Sequence, residues 1–205
     1  LLAATLFSAC TGAFEDMNTN PKGGSDEELK QDNNYIGMHF IPMMQSIYYN
    51  KNAGVNVWEY QLIQNLNADL WSGYISTATA FAGNVSNVTY AMNAGWNDNC
   101  WDYAYRNVMV ESLKITNKCK DDMETYAHFE AINTICRVIA MSRLADQYGC
   151  IIYSHYGESA TGGEYDSGQD SYKKFFEELK EAADVLRTAK EKDVASFMMF
   201  DYAYG

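Results

Sequence analysis

The stretch Ser167-Gly168-Gln169-Asp170-Ser171-Tyr172-Lys173-Lys174-Phe175-Phe176-Glu177-Glu178-Leu179-Lys180-Glu181-Ala182-Ala183-Asp184-Val185-Leu186-Arg187 decides the fold. Ser167 and Asp170 stand at the spacing of a helix-capping pair, directly ahead of an apolar series. Tyr172, Phe175, Phe176, Leu179, Ala182, Ala183 and Leu186 then recur every three or four residues, which lines them up along one side of a helix. Lys173, Lys174, Glu177, Glu178, Lys180 and Glu181 make the solvated side, with Lys174 and Glu178 placed to pair one turn apart. It is the strongest amphipathic helix in the chain.

Upstream of it, Ile132, Ile135, Cys136, Ile139, Ala140 and Leu144 form a second stripe. Asp121 followed by Glu124 predicts its N-terminal cap, and Tyr148-Gly149 its stop. Further upstream, Trp101, Tyr105, Val108, Ser112, Ile115 and Cys119 repeat at helical intervals. Residues from about 98 to 188 are therefore expected to hold at least three long helices packed as antiparallel neighbours. In the first half, Ile36, Phe40, Met43, Met44, Ile47 and Tyr48 also keep helical spacing, with Pro42 expected to kink or break it. Trp58 to Trp71 is another helical candidate, and Gly73 to Gly95, rich in Ser, Thr, Asn, Ala and Gly, reads as a long loop. Helix pairs with one apolar face each must stack to bury it, which is the logic of a helical repeat. Helices starting near residues 98, 122 and 168 nevertheless keep no strict period, and no tetratricopeptide consensus is legible. The fold class is all-α with long intervening loops.

Fifteen basic and 27 acidic residues leave a net charge of −12. That balance argues against nucleic acid as a partner, because phosphates need Lys and Arg to neutralise them. It argues likewise against docking on anionic lipid by charge, so any membrane attachment has to come from acyl chains. Sixteen Tyr, 9 Phe and 4 Trp suit a core and a wet binding surface equally well. Cys100, Cys119, Cys136 and Cys150 are widely spaced, with no C-x-x-C pair and no His near enough for a zinc pattern, so no metal site is expected. Cys136 lies on an apolar stripe and reads as a buried thiol. Export would permit disulfides, and the spacing does not choose a pairing.

At the N-terminus, Leu6-Phe7-Ser8-Ala9-Cys10 resembles the cleavage box of a bacterial lipoprotein signal peptide. Phe7 stands where Leu, Val or Ile is usual. Leu1 to Ala9 is far short of the ~20 apolar residues that span a bilayer, and no later stretch reaches that length. Residues 1–9 are expected to be the remnant of a removed signal peptide and Cys10 the lipidated residue. Residues 10–32 then form a polar tether containing Asn18-Thr19-Asn20-Pro21 and Gly23-Gly24, and residues 33–205 the helical domain.

Several segments together resemble the SusD/RagB-like nutrient-uptake lipoproteins of Bacteroidetes outer membranes. They are Cys10 with Asn18-Thr19-Asn20-Pro21, Asp69-Leu70-Trp71-Ser72-Gly73-Tyr74, and Trp101-x-x-x-Tyr105. The most specific is Arg143-Leu144-Ala145-Asp146-Gln147-Tyr148-Gly149-Cys150-Ile151-Ile152-Tyr153-Ser154, where Cys150 and Ile152 replace the family's usual Asp and Pro. Tyr165-Asp166-Ser167 leads into the capped helix. The resemblance implies a SusD-like helical scaffold with tetratricopeptide-like helix pairs, a TonB-dependent (SusC-like) transporter as partner, and capture of oligosaccharides or sometimes peptides without catalysis. Phe200 to Gly205 resembles a segment that leads into a further helical region, so the chain is expected to be an N-terminal fragment.

A sugar binder needs flat apolar faces and polar groups that fix hydroxyls. Trp71, Tyr74 and Trp96 lie in or beside the Gly/Ser/Asn-rich region, where Asn84, Asn87, Asn93 and Asn97 could supply amides. The competing reading has Trp71 ending a core helix and Trp96 packing a loop onto the scaffold. Trp58 and Trp101 are assigned to helix packing. Asp121-Asp122 and Glu177-Glu178 are explained by capping and a solvated face, and His39, His128 and His155 sit in no catalytic constellation, so no enzyme and no cofactor are expected. A peptide-capturing member of the same family and a structural helical-repeat adaptor are the alternatives.

Overall fold

A computed structural model describes residues 26–49, 58–79, 87–160 and 162–204. Cys10, the signal-peptide remnant and most of the tether lie outside the described residues, as does Asn84. The chain divides into two units, residues 1–35 and 36–205. In the first, helix α1 (Asp26–Gln31) falls inside the stretch read as tether. Lys30 sits in its last turn, where a cation suits the helix dipole, and its ammonium lies 5.2 Å from the centroid of the Tyr35 ring.

The second unit follows the order read from the sequence. Short helices α2 (Asn34–Gly37, crossing the division) and α3 (Phe40–Ser46) carry the first apolar stripe. The chain breaks between them at Met38-His39 and not at Pro42. Pro42 occupies the first turn of α3, where backbone N–H groups have no helical acceptor anyway, so its missing donor costs no bond. Helix α4 runs through a π-wound segment, Gln61–Ala68, into Asp69–Trp71. Helix α5 consists of Ala94–Ala104, a π-wound segment Tyr105–Met109, and Val110–Cys119. A 3-10 turn, Lys120–Asp122, folds it back onto α6 (Met123–Tyr148). Helices α7 (Gly168–Arg187) and α8 (Glu191–Met198) complete the unit, and the described residues contain no strand, only an isolated bridge between Ile151 and Asp166.

The caps follow side-chain chemistry. Ser167 accepts from the Asp170 backbone N–H at 3.1 Å and donates its hydroxyl to the Asp170 carboxylate at 2.7 Å. Asp122, and not Asp121, caps α6 by accepting from the Thr125 N–H at 3.1 Å. Gly149 ends α6 at φ 77°, a left-handed conformation that a side chain disfavours.

Helix α6 is the centre of the unit. Phe129, Ala131, Cys136, Val138, Ala140, Met141, Leu144 and Ala145 are all buried, so it is enclosed on several sides by α5 and α7. The main core joins Tyr49, Ile63, Cys100, Tyr103, Met141, Leu144, Ile151 and Phe175. A second cluster stacks Phe40, Phe129 and Phe197 edge to face at centroid distances of 4.9–5.8 Å, with Phe200 closing against Phe129 at 6.1 Å. Phe176, placed on the apolar stripe of α7, is instead 68% exposed, because Phe175 and Ala182 hold the centre of the buried face.

A polar link ties the three long helices together. Arg137 on α6 donates to Glu178 on α7 at 3.2 Å, to the Tyr153 hydroxyl at 3.1 Å and to Ser112 on α5 at 3.3 Å. Tyr153 also donates to Glu178. Asn133 donates to the Ser112 carbonyl, Thr116 and Glu130 at 3.0–3.2 Å. Glu178 keeps its turn-to-turn pairing with Lys174 at 3.7 Å but faces inward, contrary to its assignment to the solvated side. Cys100, Cys119, Cys136 and Cys150 are all free thiols. Burial pushes the first three up to about 12.

Candidate ligand-binding groove

Helices α4 and α6 and the entry to α5 enclose a groove of about 750 Å³. Ile63, Asn67 and Trp71 share one side of α4 at four-residue steps, close to the wider turn of its π-wound segment. That winding is braced by the Asp69 carboxylate, which accepts from Gln64 at 2.8 Å and from Asn65 at 3.0 Å. Opposite, Arg143, Asp146 and Gln147 stand three and four apart on the last turns of α6, so all three reach the same wall. Met92 and Asn97 close the end formed by α5.

The polar side chains are largely positioned before any ligand arrives. Gln147 donates to the Asn97 side-chain oxygen at 3.2 Å, and the Tyr148 hydroxyl donates to the Asn97 carbonyl. The Gln147 side-chain oxygen is buried with no partner among the described residues. Asp146 accepts from the Tyr172 hydroxyl on α7 at 2.5 Å, and that hydrogen bond, with burial and the carboxylate charge adding to it, pushes the Tyr172 phenol up to about 12. Arg143 is half-buried between this wall and the core, close enough that its charge works against the burial that raises Cys100.

Trp71 lies at the edge of the groove, 39% exposed, with Tyr90 behind it: the rings are 6.4 Å apart and the Tyr90 hydroxyl donates to the Trp71 carbonyl at 3.3 Å. Tyr74 is 88% exposed and is not among the residues lining the groove. Trp96 does not sit in a loop: it occupies the first turn of α5, half-buried, and is likewise outside the lining. The expected loop thus ends at Asn93, after a 3-10 turn at Asn87–Thr89, because the helix starts earlier than its apolar stripe. Of the four asparagines named as amide donors, Asn97 reaches the groove. Trp58, assigned to helix packing, is 54% exposed, whereas Trp101 packs on the core with Tyr105 and Tyr148 at 4.9 and 5.2 Å. The sequence reading missed Arg143, Asp146 and Gln147 as site residues. Their signal was present as three polar side chains, three and four residues apart, on one face of the last turns of the helix.

Beside the groove, the turn after Gly149 is clamped from two sides. Tyr105 donates to the Ile152 carbonyl at 3.0 Å and accepts from the Ile152 N–H at 2.8 Å. The Asp166 carboxylate accepts from the Tyr153 and Ser154 N–H groups at 2.9 and 2.8 Å. These bonds hold the turn with Cys150 and Ile152 in place. Among the described residues there is no grouping of His, Cys, Asp and Glu able to hold a metal ion, and no helix long and apolar enough to cross a membrane.

A flat indole at the rim, amides fixed in one wall and a guanidinium beside them suit a ligand with apolar faces and many hydroxyls. The fold is a helical scaffold with such a groove on its flank. The family model for SusD-like proteins, described as Susd and RagB outer membrane lipoprotein, matches residues 16–205, and the chain belongs to that family. Its members are binding proteins. Among solved structures, the chain is similar to a chitin-binding SusD homolog from Flavobacterium johnsoniae, at 38% identity over 81% of this chain and 33% of that one, with a TM-score of 0.68. It is similar also to a SusD homolog from Bacteroides vulgatus, at 33% identity over 84% of this chain and 34% of that one, with a TM-score of 0.67. A SusD homolog from Bacteroides ovatus, at 20% identity over 82% and 35% and a TM-score of 0.62, shows the fold alone. The chain spans about a third of the length of these structures. No curated protein matches it.

Proposed function

We propose that the protein is a surface lipoprotein that captures oligosaccharide nutrients and passes them to a TonB-dependent transporter of the outer membrane, without transforming them. Membership of a family of outer-membrane lipoproteins supports the location, and Cys10 is the residue that would carry the acyl chains. The observation that carries the reading to a ligand is the groove, which brings the half-exposed Trp71 together with the Asn97 and Gln147 amides. The likeness to a chitin-binding homolog points the same way.

The test is glycan-array binding by the full-length protein, with a matched hydrolysis assay. Binding of a defined oligosaccharide set without turnover is expected; turnover, or binding to no glycan, overturns the reading. Anchoring is checked by Cys10→Ser, which should release the protein from the membrane fraction, since several acyl chains at about 0.8 kcal/mol per buried CH₂ hold where none remain to do so.

A further inference from the structure

Arg143 stands apart from the other arginines of the chain. Arg106 pairs with Asp102, Arg137 with Glu178 and Arg187 with Asp184, whereas Arg143 has no carboxylate or hydrogen-bond partner among the described residues. It is half-buried and lines the groove beside Gln147. A guanidinium removed in part from water and left unpaired is costly, which makes the position unusual unless something else supplies the charge.

An obvious partner is at hand and is withheld. Asp146 is three residues further along the same helix, the spacing at which such pairs form. Its carboxylate is instead engaged by the Tyr172 hydroxyl of α7 at 2.5 Å, and no ion pair forms with Arg143. The guanidinium is therefore left without a carboxylate partner, on a residue that lines the groove. Planar oxyanions are what that fork matches best. The chain as a whole carries a charge of −12, so general attraction does not account for an anion there; a local guanidinium does.

We propose that the groove selects oligosaccharides bearing an anionic substituent, a carboxylate or a sulfate, held by Arg143 while the sugar face packs near Trp71. This rests on the oligosaccharide-capture reading and narrows it. Asp146, pinned by Tyr172, serves to keep the guanidinium free for the ligand, and Tyr172 is thereby a positioning residue.

The test uses the full-length protein and calorimetric titration with oligogalacturonate for the carboxylate, a sulfated chondroitin oligosaccharide for the sulfate, and chito- and malto-oligosaccharides as neutral probes. Wild-type protein should prefer at least one anionic probe, with affinity falling as salt rises. In Arg143→Gln the ratio of anionic to neutral affinity should drop about tenfold or more, the scale of a lost charge-assisted bond, and Arg143→Lys should restore part of it. Matching melting temperatures identify the variants as folded. A wild-type preference for neutral probes, or an unchanged ratio in Arg143→Gln, overturns this inference and leaves oligosaccharide capture standing. Binding of acidic peptides with no glycan bound overturns both.

Discussion

Trp71 presents its indole at the rim of the groove with 39% of its surface exposed, so truncating it opens no sealed cavity. Trp71→Ala should weaken oligosaccharide binding by about 1–3 kcal/mol, the scale of one hydrophobic side chain. Its cost to folding should stay well under the roughly 3–5 kcal/mol of a truncated core tryptophan. Titration and melting on the same samples check both; a large stability loss with unchanged affinity would make Trp71 a core residue. Gly37 offers the opposite case. A Cβ there would lie 2.2 Å from the Phe200 ring, and that ring is held in the cluster with Phe129. The ring tip can shift only by disturbing the cluster, so Gly37→Ala should destabilise by about 1–3 kcal/mol, read as a lower urea midpoint. Trp71 could be singled out from sequence because it adjoins a Gly/Ser/Asn-rich segment. The demand for glycine at residue 37 could not, since Phe200 approaches it from the far end of the chain.

Among the elements, α6 draws its stability from enclosure and from the polar link through Arg137. With Arg137 and Glu178 side chains only 16% and 15% exposed, removal of one partner leaves a charge that water reaches poorly. Glu178→Ala should cost roughly 2–4 kcal/mol and Lys174→Ala far less, because its pairing with Glu178 is an outer one; chemical unfolding of both variants tests the ordering. The helix itself was legible, as were its glycine stop and the Ser167 cap, because each is written in local chemistry. The choice of Asp122 over Asp121 was not. It depends on backbone angles: Asp122, the last residue of the 3-10 turn, leaves the helical region at φ −153° and ψ 77° and can turn its carboxylate back to Thr125, while Asp121 stands in the middle of that turn. The inward turn of Glu178 was hidden for a similar reason, since its partners Arg137 and Tyr153 sit on segments remote in sequence.

For the molecule as a whole, His128 links stability to pH. It is buried where α6 meets α8, its Nε2 lies 2.8 Å from the Ser196 hydroxyl, and its ring packs on Phe129 at 4.7 Å. Burial holds its pKa below the ordinary value, with Asp193 opposing and Lys192 adding to the shift. Folding therefore disfavours the protonated ring. The contribution is fully present above the unfolded pKa of about 6.5 and is lost as pH falls through the folded value. Between about pH 7 and pH 5, wild-type stability should fall more steeply than that of His128→Gln, measured by urea unfolding at each pH; parallel curves would remove His128 from the account. The sequence by itself determined the helical class, the order of the long helices and the family, because stripe spacing, caps and the segment from Arg143 to Ser154 are local patterns. It did not place the site. Trp71, Tyr74 and Trp96 lie close together in the chain, yet of the three only Trp71 lines the groove, and its opposite wall comes from the end of α6. Which side chains meet across a groove depends on how α4, α5 and α6 pack. The hold of the Tyr172 hydroxyl on Asp146, beside an Arg143 with no carboxylate partner, is a contact that arises only once the helices are packed.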